Sequence, residues 1–128
     1  MRARISITLV GVLAAVALVA VPAATAATDV HRATLHGSAK FPAVKGNAKF
    51  QREDGVRELE AEIQDAQALA GKQVRFRVNG DAVGTATVNS LGRARINRRG
   101  GGVPAVSTGS KITVRTLDGT LVASGRFS

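Results

Sequence analysis

The chain has 128 residues, a formal net charge of +9, two histidines and no cysteine, tryptophan or tyrosine. This composition excludes a disulfide scaffold, a cysteine-ligated metal site, a thiol nucleophile and a lipid-modified cysteine. The length leaves room for one small domain.

The first 26 residues have the three parts of a secretory signal peptide. Two arginines give a basic start, residues 5–21 form an apolar run, and an Ala-Thr-Ala motif at 24–26 is a small-residue cleavage site. We predict cleavage after Ala26, with cleavage after Ala27 as the nearest alternative. A membrane anchor is the competing interpretation, but a run of about 17 residues is at the short limit of the roughly 20 that a span needs.

The mature protein is therefore predicted to be exported and soluble, either secreted or associated with the cell envelope. No later apolar run is long enough for a transmembrane span. Without the two leader arginines, sixteen of the 18 basic residues remain against nine acidic ones, which gives a formal net charge of +7. We expect a flexible lead-in over residues 27–32 and a single domain over residues 33–128.

The second half of the mature chain consists of short alternating segments. Apolar and polar residues alternate over 73–78, which is typical of a half-buried strand. Asn79-Gly80 follows as a strong hairpin signal, because both turn positions need a positive φ. The same alternation, with turn residues between, predicts further strands over 82–88, 93–97, 111–115 and 120–127.

The first half carries weaker signals of the same kind. We expect strands over 32–36 and 47–52, and a hairpin turn at Asp54-Gly55. Residues 56–70 are ambiguous, because apolar residues alternate with glutamates as in a strand but are also spaced as in a helix that ends at Gly71. Since the neighbouring segments are β, we prefer a strand over 56–64 followed by a loop, with the helix as the alternative.

Strands at intervals of about 8–12 residues predict an all-β fold. We expect an antiparallel β-sandwich, immunoglobulin-like or a small barrel, of about seven or eight short strands. The inward-facing parity of the strands predicts a core of Leu59, Ile63, Val74, Phe76, Val78, Ile96, Ile112, Val114, Leu121 and Phe127.

A resemblance to known proteins rests on turn and core residues spread over most of the mature chain. They are Leu35-His36-Gly37, Phe41-Pro42, Gly46–Phe50, Leu69–Val74, Val78-Asn79-Gly80, Val83–Ala86 and Gly119–Phe127. With these segments the chain resembles a family of small secreted proteins from high-GC Gram-positive bacteria. The resemblance implies a single β-sandwich domain, and it implies no catalytic or binding residue.

The basic residues of the second half share one parity in the predicted strands. Residues 67–128 hold ten basic residues but only Asp81 and Asp118 as acidic ones. Three strands would therefore present an anion-binding face on the outside of the sheet. Its residues are Arg75, Arg77, Arg93, Arg95, Lys111 and Arg115. Arg126 would add to this face if Phe127 points inward.

Two simpler interpretations of these charges stay open. The basic residues can serve as a solvated face that keeps a small protein soluble. They can also form cross-strand pairs with Glu58, Glu60 and Glu62, if the strand that carries these glutamates lies beside an arginine strand.

Other kinds of site have little support in the sequence. His31 and His36 would lie on opposite faces of a strand, so we predict no metal site and no cofactor. No nucleophile has a base in a recognisable pattern, so we predict no enzyme activity. Without tryptophan and tyrosine, base stacking and sequence-specific nucleic-acid binding are disfavoured. The basic glycine loop at 98–102 is predicted to be a mobile hairpin loop rather than a phosphate cradle.

The sequence thus predicts an exported, non-catalytic binding or structural module. Its partner would be an anionic polymer of the cell envelope, anionic lipid head groups, extracellular DNA or acidic polysaccharide, held by the basic sheet face. The alternative is a protein–protein interaction module that uses an edge strand or the 98–105 loop.

Overall fold

The computed structural model describes residues 28–128. Within this range the chain forms eight β-strands, one 3-10 turn at Gln67–Leu69 and no α-helix, so no described helix could cross a membrane. The predicted signal peptide and its cleavage site lie outside the described residues. The strands are β1 (Thr28–Gly37), β2 (Lys45–Glu53), β3 (Val56–Gln64), β4 (Gln73–Val78), β5 (Asp81–Thr87), β6 (Ala94–Arg99), β7 (Lys111–Thr116) and β8 (Leu121–Arg126).

All eight strands belong to one antiparallel sheet in the order β5-β4-β7-β8-β1-β2-β3-β6. The sheet curls until its two edge strands, β5 and β6, approach each other, so the domain is a nearly closed barrel. A curled sheet buries its inner face without a second sheet or a covering helix. The predicted all-β antiparallel fold is confirmed, in its barrel-like form.

The ambiguous segment after residue 55 is a strand, as preferred. β3 pairs with β2 along its whole length and with β6 on its other side, from Glu58 to Ile63. The alternative helix is wrong, because neighbouring strands on both sides satisfy the backbone of β3. The strand ends at Gln64, and the φ of 60° at the next residue, Asp65, turns the chain toward the 3-10 turn.

The expected flexible lead-in is wrong for the residues that the structure describes. Residues 28–32 are the first half of β1 and pair in register with residues 49–53 of β2. Arg52 also lies 3.3 Å from the carboxylate of Asp29. The segment has few apolar residues, so its sequence pattern is weak, but the partner strand supplies the hydrogen bonds that order it.

Bulky and small residues alternate around one layer of the barrel interior. Gly46 of β2 pairs with both Leu35 and Ile63, and Gly125 of β8 pairs with Ile112. Gly125 also follows Ser124, the partner of His36, which places it beside Leu35. Leu35, Ile63 and Ile112 are fully buried, and a glycine separates Leu35 from each of the two isoleucines. This alternation lets the strands curl tightly around large side chains.

Nine of the ten predicted core residues are buried, and Leu121 is the exception. A register shift between Val114 and Arg115 pairs Val114 with Ala123 and Arg115 with Leu121. Val122 is the extra residue of this bulge, and it is buried together with Ala123. Strict alternation predicts the wrong residue here, because a bulge changes the parity of the strand.

Candidate functional site

Four of the six predicted site residues share the outer face of two adjacent strands. Arg75 and Arg77 lie on β4, and Lys111 and Arg115 lie on β7. Arg75 pairs directly with Arg115. Arg126 of β8, paired with Lys111, extends the group to a third strand. We call Arg75, Arg77, Lys111, Arg115 and Arg126 the basic face.

Backbone carbonyls of nearby turns orient three guanidinium groups of the basic face. Arg77 donates to Gly80 O at 3.0 Å, Arg115 to Gly119 O at 2.8 Å and Arg126 to Gly109 O at 2.9 Å. Each bond uses one of the five N–H donors of a guanidinium group and leaves its charge uncompensated. These contacts therefore orient the three arginines without neutralising their charges.

No carboxylate among residues 28–128 forms an ion pair with the basic face. All salt bridges of the described residues involve β1, β2, β3 and β6 or the turn after β3. Arg75 and Arg115 face each other as a like-charged cross-strand pair, an arrangement that costs stability. One side of the barrel thus concentrates positive charge, while the opposite side mixes charges of both signs.

Asp118, in the turn after β7, is the acidic residue closest in sequence to Arg115, but it is engaged elsewhere. Its carboxylate accepts hydrogen bonds from the hydroxyl groups of Thr116 and Thr120 and from the backbone N–H of Thr120. The bond from the Thr116 hydroxyl, followed by those from Thr120 and the charge of Lys40, lowers the pKa of Asp118 below its ordinary value. The carboxylate of Asp118 therefore stabilises the turn in which it lies and forms no ion pair with Arg115.

Replacing Thr116 by valine should raise the pKa of Asp118 toward its ordinary value, because the strongest bond to the carboxylate is removed. Since the folded-state pKa is lowered, the turn gains stability above the unfolded-state pKa and loses it as the pH falls through the folded-state pKa. An NMR titration of the Asp118 side chain measures both forms. An unchanged titration curve in the variant would contradict this account of the turn.

The other two predicted residues, Arg93 and Arg95, lie at the far edge of the sheet. Arg95 is on β6, and Arg93 directly precedes that strand. The edge strand β5, and the seam where the edge strands β5 and β6 meet without a backbone ladder, separate both arginines from β4. Arg95 pairs with Glu62 of β3. The structure therefore brings together four of the six predicted residues and leaves two apart, because the strand order could not be deduced from parity.

The glutamates of β3 have the neighbours that the cross-strand interpretation requires. Glu58 lies 3.7 Å from Arg99 of β6, and Asn97 donates to Glu60 at 3.4 Å. On the other side of β3, Lys49 of β2 pairs with Glu60. Cross-strand pairing thus accounts for the basic residues beside β3, but not for those of the basic face.

The two histidines lie on opposite faces of β1. His31 has inward parity and its Nδ1 lies 2.8 Å from Ser128 O, whereas His36 is exposed. Among residues 28–128, no three His, Asp or Glu side chains are grouped as metal ligands.

The 98–105 loop is more firmly attached than a mobile hairpin loop. Arg57 donates to Val103 O at 3.0 Å, Gly100 donates to Arg57 O at 2.9 Å, and Val103 is only 1 % exposed. Arg98, which lies near the end of β6, makes a contact that no sequence pattern indicated: its Nε donates to Val83 O of β5 at 3.1 Å.

Comparison of the chain with models of known protein families and with curated proteins finds no match. The resemblance to small secreted proteins of high-GC Gram-positive bacteria therefore stays a prediction.

Proposed function

We propose that this protein is an exported, non-catalytic module that binds an anionic polymer of the cell envelope through the basic face. The observation that supports this most directly is the pairing of Arg75 with Arg115, with no carboxylate among the described residues to neutralise them. A purely structural surface gains nothing from such a pair, since like charges directly opposite destabilise a sheet. A bound polyanion would screen the repulsion between the two arginines, and the relief of this repulsion would add to the binding free energy.

The shape of the surface favours a polymer over a small ligand. The basic face lies on the convex outer side of β4, β7 and β8. The backbone positions of its residues are about 5 Å apart across paired strands, about 7 Å apart for Arg75 and Arg77 on β4, and about 13 Å apart for Lys111 and Arg115 on β7. Such an array matches a chain of repeated phosphate or carboxylate groups that follows the curved sheet. Threonine hydroxyl groups, such as that of Thr113 between Arg77 and Ser124, offer neutral hydrogen bonds between the charges.

Co-sedimentation of the purified mature protein with isolated cell-wall material tests this proposal. We expect binding at about 50 mM salt and release at about 200 mM salt, because a polyanion held by several cations exchanges them for counterions. Binding that persists at high salt would show a different kind of contact. Absence of binding at both salt concentrations would refute the envelope-polymer proposal and leave the basic face as a solubility device.

A further inference from the structure

The seam between β5 and β6 is the one place where the sheet that the structure describes is not closed by a backbone ladder. The two strands are consecutive in the chain and antiparallel, and their connecting turn is closed by a bond from Asn89 N–H to Arg93 O at 2.9 Å. At the other end the side chain of Arg98 bridges to Val83 O. Between these two ties no backbone ladder joins the strands, and they approach through side chains: a Cβ on Gly84 would lie 3.1 Å from Cγ2 of Ile96.

The alternation of antiparallel hydrogen bonds shows which backbone groups face the seam. Val88 N–H donates to Lys72 O, next to β4, so the backbone groups of Thr85 and Thr87 point away from β4. On β6, Gly100 N–H donates to Arg57 O, next to β3, so those of Arg95 and Asn97 point away from β3. Each edge therefore directs both N–H donors and C=O acceptors toward the other strand, although Asn97 O already accepts a bond from Arg98 at 3.4 Å.

A groove of about 490 Å³ opens on the outside of this segment, with Thr85, Thr87, Arg93 and Arg95 among its lining residues. Its charge is positive, with Glu62 as the acidic residue of the lining. A free oxyanion could satisfy the arginines and the N–H groups but would be repelled by the carbonyl groups. An extended peptide satisfies donors and acceptors together, and acidic side chains on its outer face would pair with the arginines.

The barrel itself contains an example of such a neighbour. On its other side, β6 pairs with β3, which carries glutamate at every second position and buries Leu59, Ala61 and Ile63 in between. Inside the seam, the inward-facing residues Ala86 and Ala94 are small, and Ile96 is the bulky buried residue beside them. A peptide with alternating acidic and apolar residues therefore fits the outer charge of the groove and the inner apolar surface.

We propose that the seam between β5 and β6 binds an extended acidic peptide segment of a partner protein, which adds to the sheet as a ninth strand. The bond from Arg98 to Val83 O acts as a latch that must open before the peptide can enter. This site lies apart from the basic face and does not depend on the proposed binding of a polymer.

The experiment uses an end-blocked, fluorescently labelled peptide of alternating glutamate and valine, with an N-methylated version as its control. N-methylation at alternate residues keeps the charge but removes the backbone N–H groups that a ladder needs. We expect saturable binding that N-methylation weakens at least tenfold. Amide shifts in NMR spectra should concentrate at Thr85, Thr87, Arg95 and Asn97.

Removing the bond from Arg98 to Val83 O gives the most discriminating test. The expected change in affinity is opposite to the change that loss of a positive charge alone would cause. Arg98→Ala removes a positive charge, yet it should bind the acidic peptide about tenfold more tightly, since no bond to Val83 O has to break. Arg99→Ala, a neighbouring change of equal charge, is the matched control and should not strengthen binding. If Arg98→Ala does not fold, two measurements on the unmodified protein still test the proposal. They are the positions of the amide shifts and the affinity for the N-methylated peptide.

Three outcomes would overturn the proposal. They are equal affinity for both peptides, amide shifts that centre on Arg75 and Arg115, and weaker binding by a folded Arg98→Ala variant. A variant with Arg75→Glu and Arg115→Glu should keep its affinity for the peptide. This separates failure of the seam proposal from failure of the proposed polymer binding.

Discussion

Reversing the charges of Arg75 and Arg115 together should weaken binding to isolated cell-wall polymer about 100-fold at low salt. Each cation that neutralises a polyanion at low salt contributes roughly tenfold through counterion release. The variant Arg75→Glu, Arg115→Glu also replaces an unfavourable like-charged pair by another, so the fold should be little affected. Binding isotherms at several salt concentrations measure both the affinity and the number of counterions released.

A control with the same change in net charge separates the basic face from the overall charge of the protein. Arg32→Glu combined with Lys49→Glu makes the same change on the outer face of β1 and β2, where Arg32 pairs with Lys49. We expect this control to lose only a few-fold in affinity and to keep the slope of affinity against salt. Equal losses in both variants would show that net charge, not the arrangement on β4 and β7, governs binding.

Replacing Gly125 by alanine should destabilise the barrel by about 3 kcal/mol or more. A Cβ at this position would lie 2.1 Å from Thr34 O on the neighbouring strand, and backbone cannot move aside cheaply. A domain of this size has a total stability of about 5–15 kcal/mol, and each kcal/mol corresponds to roughly 4–8 °C in Tm. We therefore expect Tm to fall by about 12–24 °C, measured by circular dichroism.

Gly101→Ala is the matched control for this substitution. A Cβ at Gly101, in the loop after β6, meets no atom within 4 Å, so the variant should melt within a few degrees of the unmodified protein. A Gly125→Ala variant as stable as Gly101→Ala would mean that β8 and β1 do not approach as described. It would also refute the alternation of bulky residues and glycine in the inner layer.

Turns and strand parity could be predicted because their causes are local. Asn79, Gly80, Asp54 and Gly55 adopt the positive φ values that their hairpin turns require. Most inward-facing residues were also identified, since alternation fixes which side of a strand is apolar. Leu121 was wrongly assigned to the core because a bulge depends on the partner strand, and the strand at residues 28–32 was missed because its ladder partner lies far along the chain.

The candidate site could be predicted only in part. Parity showed that Arg75, Arg77, Lys111 and Arg115 point outward, as do Arg93 and Arg95, but parity carries no information on which strands are neighbours. Strand order brings β4 beside β7 and sends β6 to the opposite edge, next to the glutamates of β3. The seam and the bridge from Arg98 to Val83 O follow from how far the sheet curls, which no local pattern encodes.

By itself the sequence thus determined a small, basic, all-β domain, its turns and the outward direction of its charges. These depend on backbone preferences and on the two-residue period of a strand, and both act within a few residues. Only the tertiary structure decided which arginines share a surface, which strand meets the glutamates and where the barrel stays open. These features depend on pairing between segments far apart in the chain, which the packing of the whole core selects.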